Sequence, residues 1–147
     1  MNTGLRRGEL FNLRWCDVDF DHRNLTVAGS YSKTGKTRHI PLNDEAFEVL
    51  QQWGSQTGQK PELVFAGKSG SRLTDIKKSW SKLLQDAGIE NFRWHDLRHH
   101  FASKLVMASV DLNTVRELLG HSSLDMTLRY AHLAPEHKAA AVAVLNV

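Results

Sequence analysis

The chain has 147 residues, 41% hydrophobic and 24% charged, with a net charge of +3. That length suits one domain with a real core, and its short apolar runs exclude a membrane span. The single cysteine, Cys16, excludes an internal disulfide and a cysteine zinc cluster, and it points to a reducing compartment.

In chain order, the first helix is expected over Arg7 to Trp15, with Leu10, Leu13 and Phe11 facing inward. Met1-Asn2-Thr3 leads straight into this basic amphipathic stretch, unlike a signal peptide. Two short strands follow, near Asn24 to Ala28 and Thr37 to Pro41. The turn formers between them, Gly29 to Lys36, suit a hairpin. Asn43 is positioned to cap a helix running to about Gln52, with Ala46, Leu50 and Trp53 on one face. A strand is expected at Leu63 to Phe65. Thr74 then caps a helix carrying Ile76, Trp80, Leu83, Leu84 and Ala87, and Gly88 stops it.

From His95 onward the pattern is helical. His95 to Ala108 forms one helix with Leu97, Phe101 and Leu105 as its buried stripe. Asp111 caps the next, in which Leu112, Val115, Leu118 and Leu119 face inward, and Gly120 ends it. Ser122 and Asp125 have capping-box spacing for a helix holding Tyr130, and Pro135 opens a last, alanine-rich helix. That segment is too short to be stable alone, so it packs on its own domain or on a neighbour. The fold class is mainly α with a small antiparallel β-sheet, in one domain over 1–147, with no repeat or linker.

Four clusters bear on chemistry. Arg6 in Thr3-Gly4-Leu5-Arg6-Arg7-Gly8-Glu9 stands at a helix entrance, where backbone N–H groups and a guanidinium suit a phosphate; a solvated arginine pair is the alternative. Lys33, in a basic run from Lys33 to Arg38, is a mobile point charge on a turn; a charged hairpin tip is equally consistent. His95, Arg98 and His99 share one helix face. The two histidines have the spacing of a metal pair, but the arginine between them opposes a cation and no third ligand is evident. Last come Leu119-Gly120-His121-Ser122 and, nine positions past the histidine, Tyr130. Taken singly, this histidine reads as a turn residue and this tyrosine as core.

Together, TGLRRGEL, the lysine turn, HDLRHH, LLGHSS and RYAH resemble the tyrosine recombinase (phage integrase) catalytic domain, from Thr3 to His132. The resemblance implies that Arg6 and Arg98 are the two active-site arginines, Lys33 the hairpin lysine, His95 the first histidine of the HxLRH motif, His121 the position held by histidine or tryptophan, and Tyr130 the nucleophile. Glu9 and His99 are implied as supporting residues. It further implies a 3′-phosphotyrosyl intermediate on double-stranded DNA, a homotetramer on that DNA, no metal or other cofactor, and a cytoplasmic, nucleoid-associated prokaryotic setting. Nearby cations are expected to lower the Tyr130 pKa, with His95 taking its proton and Lys33 protonating the leaving oxygen. The family normally carries an N-terminal DNA-clamping domain and one or two helices ahead of the TGLR motif; these are expected to be absent here, as in a fragment or a truncated form. Rival readings are a type IB topoisomerase-like enzyme, a metal-dependent phosphodiesterase and a DNA-binding module without catalysis.

Overall fold

The computed structural model describes residues 2–31, 35–60, 62–67, 69–135, 142–143 and 145. Lys33 and most of the segment after Pro135 lie outside them, as does the question of what that segment packs against.

Helix α1 spans Arg7–Asn12, and a single 3-10 turn, Trp15–Asp17, follows it. The chain then forms β1 (Val18–Asp19), β2 (Asn24–Val27) and β3 (Arg38–Pro41), a three-stranded sheet in the order β1-β2-β3. Both pairings are antiparallel, with Leu25 opposite Ile40 and Val27 opposite Arg38. The period-2 alternation of a half-buried strand explains the register: Leu25, Val27 and Ile40 are buried while His39 and Pro41 are exposed. Helix α2 (Asp44–Thr57) packs on the sheet. Its N-terminus is capped by Asn43, whose side chain accepts from the Ala46 N–H at 3.0 Å. Leu13, Trp15, Val18, Leu25, Val27, Ile40, Leu42, Leu50 and Val64 form this front core.

The rear half is helical: α3 (Lys77–Asp86), α4 (Asp96–Met107), α5 (Leu112–Leu119) and one turn of α6 (Asp125–Leu128). Ala102, Val106, Val115, Leu119 and Tyr130 make a second core between α4, α5 and the turn after α6. The halves meet at Gly4, whose φ of +60° suits glycine, and where a Cβ would lie 2.5 Å from the Phe101 ring. The chain is thus mainly α with a small antiparallel sheet.

Several local expectations are corrected. Thr74 does not cap α3, whose N-cap is Ile76. Leu63 makes only an isolated bridge to Arg14 in place of a strand. In α4 the buried residues are Arg98, Ala102 and Val106, one position round from the expected stripe, while Leu97, Phe101 and Leu105 are half-buried. The helix turns its arginine inward because backbone carbonyls satisfy it. The Ser122 capping box does not form: α6 starts after Leu124, and the Ser122 hydroxyl points to the Met126 sulfur at 3.5 Å. Tyr130 therefore sits in the turn after α6, not on it.

Candidate active site

Glu9 on α1 is buried, and two arginines converge on it. Arg6 donates to Oε1 at 2.8 Å, and Arg38 grips both oxygens at 3.0 and 2.8 Å. The Arg6 backbone N–H donates to Oε2 at 2.8 Å, so the helix-entrance amide is already satisfied by the protein. These hydrogen bonds hold the Glu9 carboxyl below the usual carboxylate range, against burial, which pushes it up.

The C-terminal end of α5 closes the other side. Asp111 caps its start, accepting from the Asn113 and Thr114 amides at 2.9 Å. Gly120, at φ +63°, ends it in the left-handed conformation, and the His121 N–H returns to Arg116 O at 3.0 Å. This pattern leaves the next carbonyls without helical partners, and arginines take three in succession. Arg38 Nε donates to Leu118 O at 3.1 Å, Arg98 to Leu119 O at 2.5 Å, and Arg6 to Gly120 O at 2.8 Å. Three guanidiniums thereby gather at the negative end of the α5 dipole. Arg98, 5% exposed, also donates to Gly4 O at 2.6 Å. Burial, then the neighbouring Arg6, pushes its pKa down to about 9, which still leaves it cationic at neutral pH.

Tyr130 is 6% exposed, and its hydroxyl lies 2.6 Å from His99 Nδ1. The His99 ring in turn meets His95 edge-on, with centroids 4.6 Å apart. His99 rather than His95 is the tyrosine's partner here, because His95 precedes the first turn of α4 and is exposed whereas His99 faces the rear core. Burial lowers both histidines, aided at His99 by the charge of His95 and at His95 by that of Arg98. The expectation that cations lower the Tyr130 pKa is corrected: burial raises it more than Arg129 and Arg98 lower it. The phenol is therefore protonated at neutral pH.

His121 is half-buried, with Nδ1 2.8 Å from the buried Thr127 hydroxyl. Burial, followed by the charges of Arg98 and Arg6, pushes its pKa down to about 4. A cleft of about 750 Å³ opens beside it, walled by Arg6 and Arg38 on one side and by Gly120, His121, Ser122 and Met126 on the other. Arg6, Glu9, His95, Arg98, His99, His121 and Tyr130 thus come from distant parts of the chain to one region. Among the described residues no cluster of three histidine, cysteine or acidic side chains is placed to hold a metal ion. Sequence reasoning placed Arg38 only in a basic run; its grip on Glu9, 29 positions earlier, had no local signal.

Comparison with known proteins fits this geometry. Residues 1–137 match the phage integrase family. The chain belongs to that family. It is 38% identical over 150 residues to the integrase of Salmonella phage P22, covering 93% of this chain and 38% of that protein. It is 37% identical over 142 residues to the tyrosine recombinase XerC of Xanthomonas campestris pv. campestris, covering 94% of this chain and 43% of the relative. This phage integrase family chain thus spans less than half the length of those curated relatives. Among solved structures it resembles XerA recombinase, with a TM-score of 0.79 and 26% identity over 99% of this chain and 55% of that one. It also resembles the catalytic domain of bacteriophage HP1 integrase, at 0.69 and 29% over 99% and 76%. The XerH recombinase bound to its difH substrate before cleavage matches at 0.77 and 28%, over 99% and 44%.

Proposed function

We propose that this chain carries the strand-transfer site of a site-specific DNA recombinase or integrase, with Tyr130 as nucleophile. One observation carries the reading: the Tyr130 hydroxyl is hydrogen-bonded to His99 at 2.6 Å, in a site where Arg98 is held by backbone carbonyls. A guanidinium held by neutral carbonyls keeps its charge available to an anion. The naming of relatives as integrases and tyrosine recombinases supports the same chemistry.

In the proposed reaction the Tyr130 oxygen attacks a DNA phosphate. The new Oη–P bond forms as the P–O5′ bond breaks, giving a 3′-phosphotyrosyl link and a free 5′ hydroxyl. The phenolic proton passes to His99, with His95 beside it, and Lys33 supplies a proton to the departing O5′. Arg6, Arg98 and His121 donate to the phosphate oxygens as charge builds on them. A 5′ hydroxyl from a partner duplex reverses the step, so the phosphodiester energy is conserved in the protein link. Double-stranded DNA is the partner, a homotetramer of the whole protein is the exchanging assembly, and the bacterial cytoplasm is the setting.

The test is incubation with nicked suicide duplex followed by denaturing electrophoresis. A covalent protein–DNA band that Tyr130→Phe abolishes is expected. An adduct that survives in the variant would assign the nucleophile elsewhere; DNA binding with no adduct would leave a binding module.

A further inference from the structure

We propose that Arg38 is a positioning residue of this site: it locks the carboxylate that holds Arg6 and the backbone that leads into His121. The inference rests on the strand-transfer reading but adds a residue that reading does not contain.

Arg38 begins β3, the edge strand that meets α5. Its side chain is 10% exposed, and all three guanidinium nitrogens are bonded within the protein: two to Glu9 and one to Leu118 O. Glu9 has a side chain only 2% exposed, and its Oε1 also receives Arg6. Arg6 by itself gives this carboxylate one bond per oxygen, from its side chain to Oε1 and from its backbone N–H to Oε2. The bidentate Arg38 guanidinium adds a second, planar hold on both oxygens, and so stiffens the direction from which Arg6 is gripped. Arg6 then has one fixed side-chain bond to Glu9 and one to Gly120 O, and it lines the cleft beside His121.

The second hold is steric. A Cβ on Gly120 would lie 2.9 Å from Arg38 Nη1 and 3.0 Å from its Cδ and Cζ. The guanidinium is therefore seated against the Gly120 backbone, immediately before His121, while its Nε pins the carbonyl of Leu118. Lysine carries its donors on a single nitrogen and cannot reach acceptors spaced for Nε, Nη1 and Nη2. Misplacement of a binding group by about 1 Å is enough to slow a preorganised reaction.

The experiment compares the unmutated chain with Arg38→Lys, Arg38→Gln, Glu9→Gln and the Arg38→Lys/Glu9→Gln double variant. Three quantities are read: the adduct rate on nicked suicide duplex, DNA affinity with its salt dependence, and the NMR signals of the Arg6 Nη protons. Arg38→Lys should slow adduct formation roughly tenfold or more while affinity stays within about twofold. The Arg6 signals, separate when the guanidinium is fixed, should merge by rotation. The double variant should be no slower than the slower single one, because both act through one carboxylate. If Arg38→Lys folds poorly, Arg38→Gln, which keeps one donor group, takes its place and should likewise slow adduct formation with merged Arg6 signals. Lost affinity with a salt slope reduced by about one would make Arg38 a phosphate ligand and overturn the proposal. So would multiplicative rate losses, or unchanged Arg6 signals in both Arg38 variants. If the unmutated chain forms no Tyr130-dependent adduct, the strand-transfer reading falls, and the Arg6 signals alone still decide whether Arg38 positions Arg6.

Discussion

The charge balance of the site is most directly tested at His121. Its pKa is pushed from an ordinary 6.5 down to about 4, first by burial and then by Arg98 and Arg6. At about 1.4 kcal/mol per pH unit, the full shift corresponds to about 3 kcal/mol. The ring is only partly buried, so solvent screening reduces the stability effect to about 1–2 kcal/mol. Its sign follows from proton counts. Between pH 6.5 and about 4 the unfolded chain binds a proton at this residue and the folded chain does not. The contribution is therefore fully present above pH 6.5 and is lost as pH falls toward 4. An NMR titration of the His121 ring should show a midpoint near 4, and urea unfolding of the unmutated chain should lose stability faster than His121→Gln across this range. A midpoint near 6.5 with parallel unfolding curves would refute the claim that arginines and burial dominate this residue. Duplex DNA should reverse the effect: a phosphate beside Arg6 and Arg98 offsets their charge, raising the His121 midpoint and causing proton uptake measurable by calorimetry in buffers of different ionisation enthalpy.

Gly120→Ala meets both a positive φ and the Arg38 side chain, so it should lower unfolding stability by about 1–3 kcal/mol; an unchanged urea midpoint would mean that the turn relaxes freely. Lys33→Ala should cut ordinary DNA poorly yet cut a substrate with a bridging 5′ sulfur nearly as well as the unmutated chain, because a thiolate leaves without a proton; equal loss on both would reduce Lys33 to phosphate binding. With a net charge of only +3, the chain should bind duplex DNA weakly and with a steep fall as salt rises, and salt-insensitive tight binding would contradict that.

Much of this was legible in the sequence because it depends on local rules. The β2–β3 alternation, the Asn43 and Asp111 caps and the Gly120 stop are short-range signals, and each appears in place. The hydropathy pattern puts the α4 stripe one position off because it turns an arginine outward. Arg98 is inward only because Gly4 O and Leu119 O, distant in sequence, receive it. Strand β1 is two residues long, too short for a period to show in the sequence. Arg38 and His99 illustrate the same limit at the site. The residues were visible as letters in a basic run and a histidine motif, but their partners, Glu9 and Tyr130, are fixed by tertiary packing.

The protonated state of Tyr130 constrains how the proposed reaction proceeds. If the arginines ionised the phenol beforehand, they would have to outweigh its burial, and they do not. A DNA phosphate arriving at Arg6 and Arg98 adds negative charge, which makes a phenolate still less favourable. The proton must therefore leave as the Oη–P bond forms, toward an acceptor already in contact. His99 meets that need, lying 2.6 Å away with its basicity lowered by burial and by His95. A weak base suits this task, because a strong one would be protonated at rest and would have no lone pair for the hydroxyl. On the proposed chemistry, the cations of the site thus have two separable effects. They add to burial in holding the histidine pKa values down before DNA binds, and they stabilise the phosphorane-like charge only once it develops.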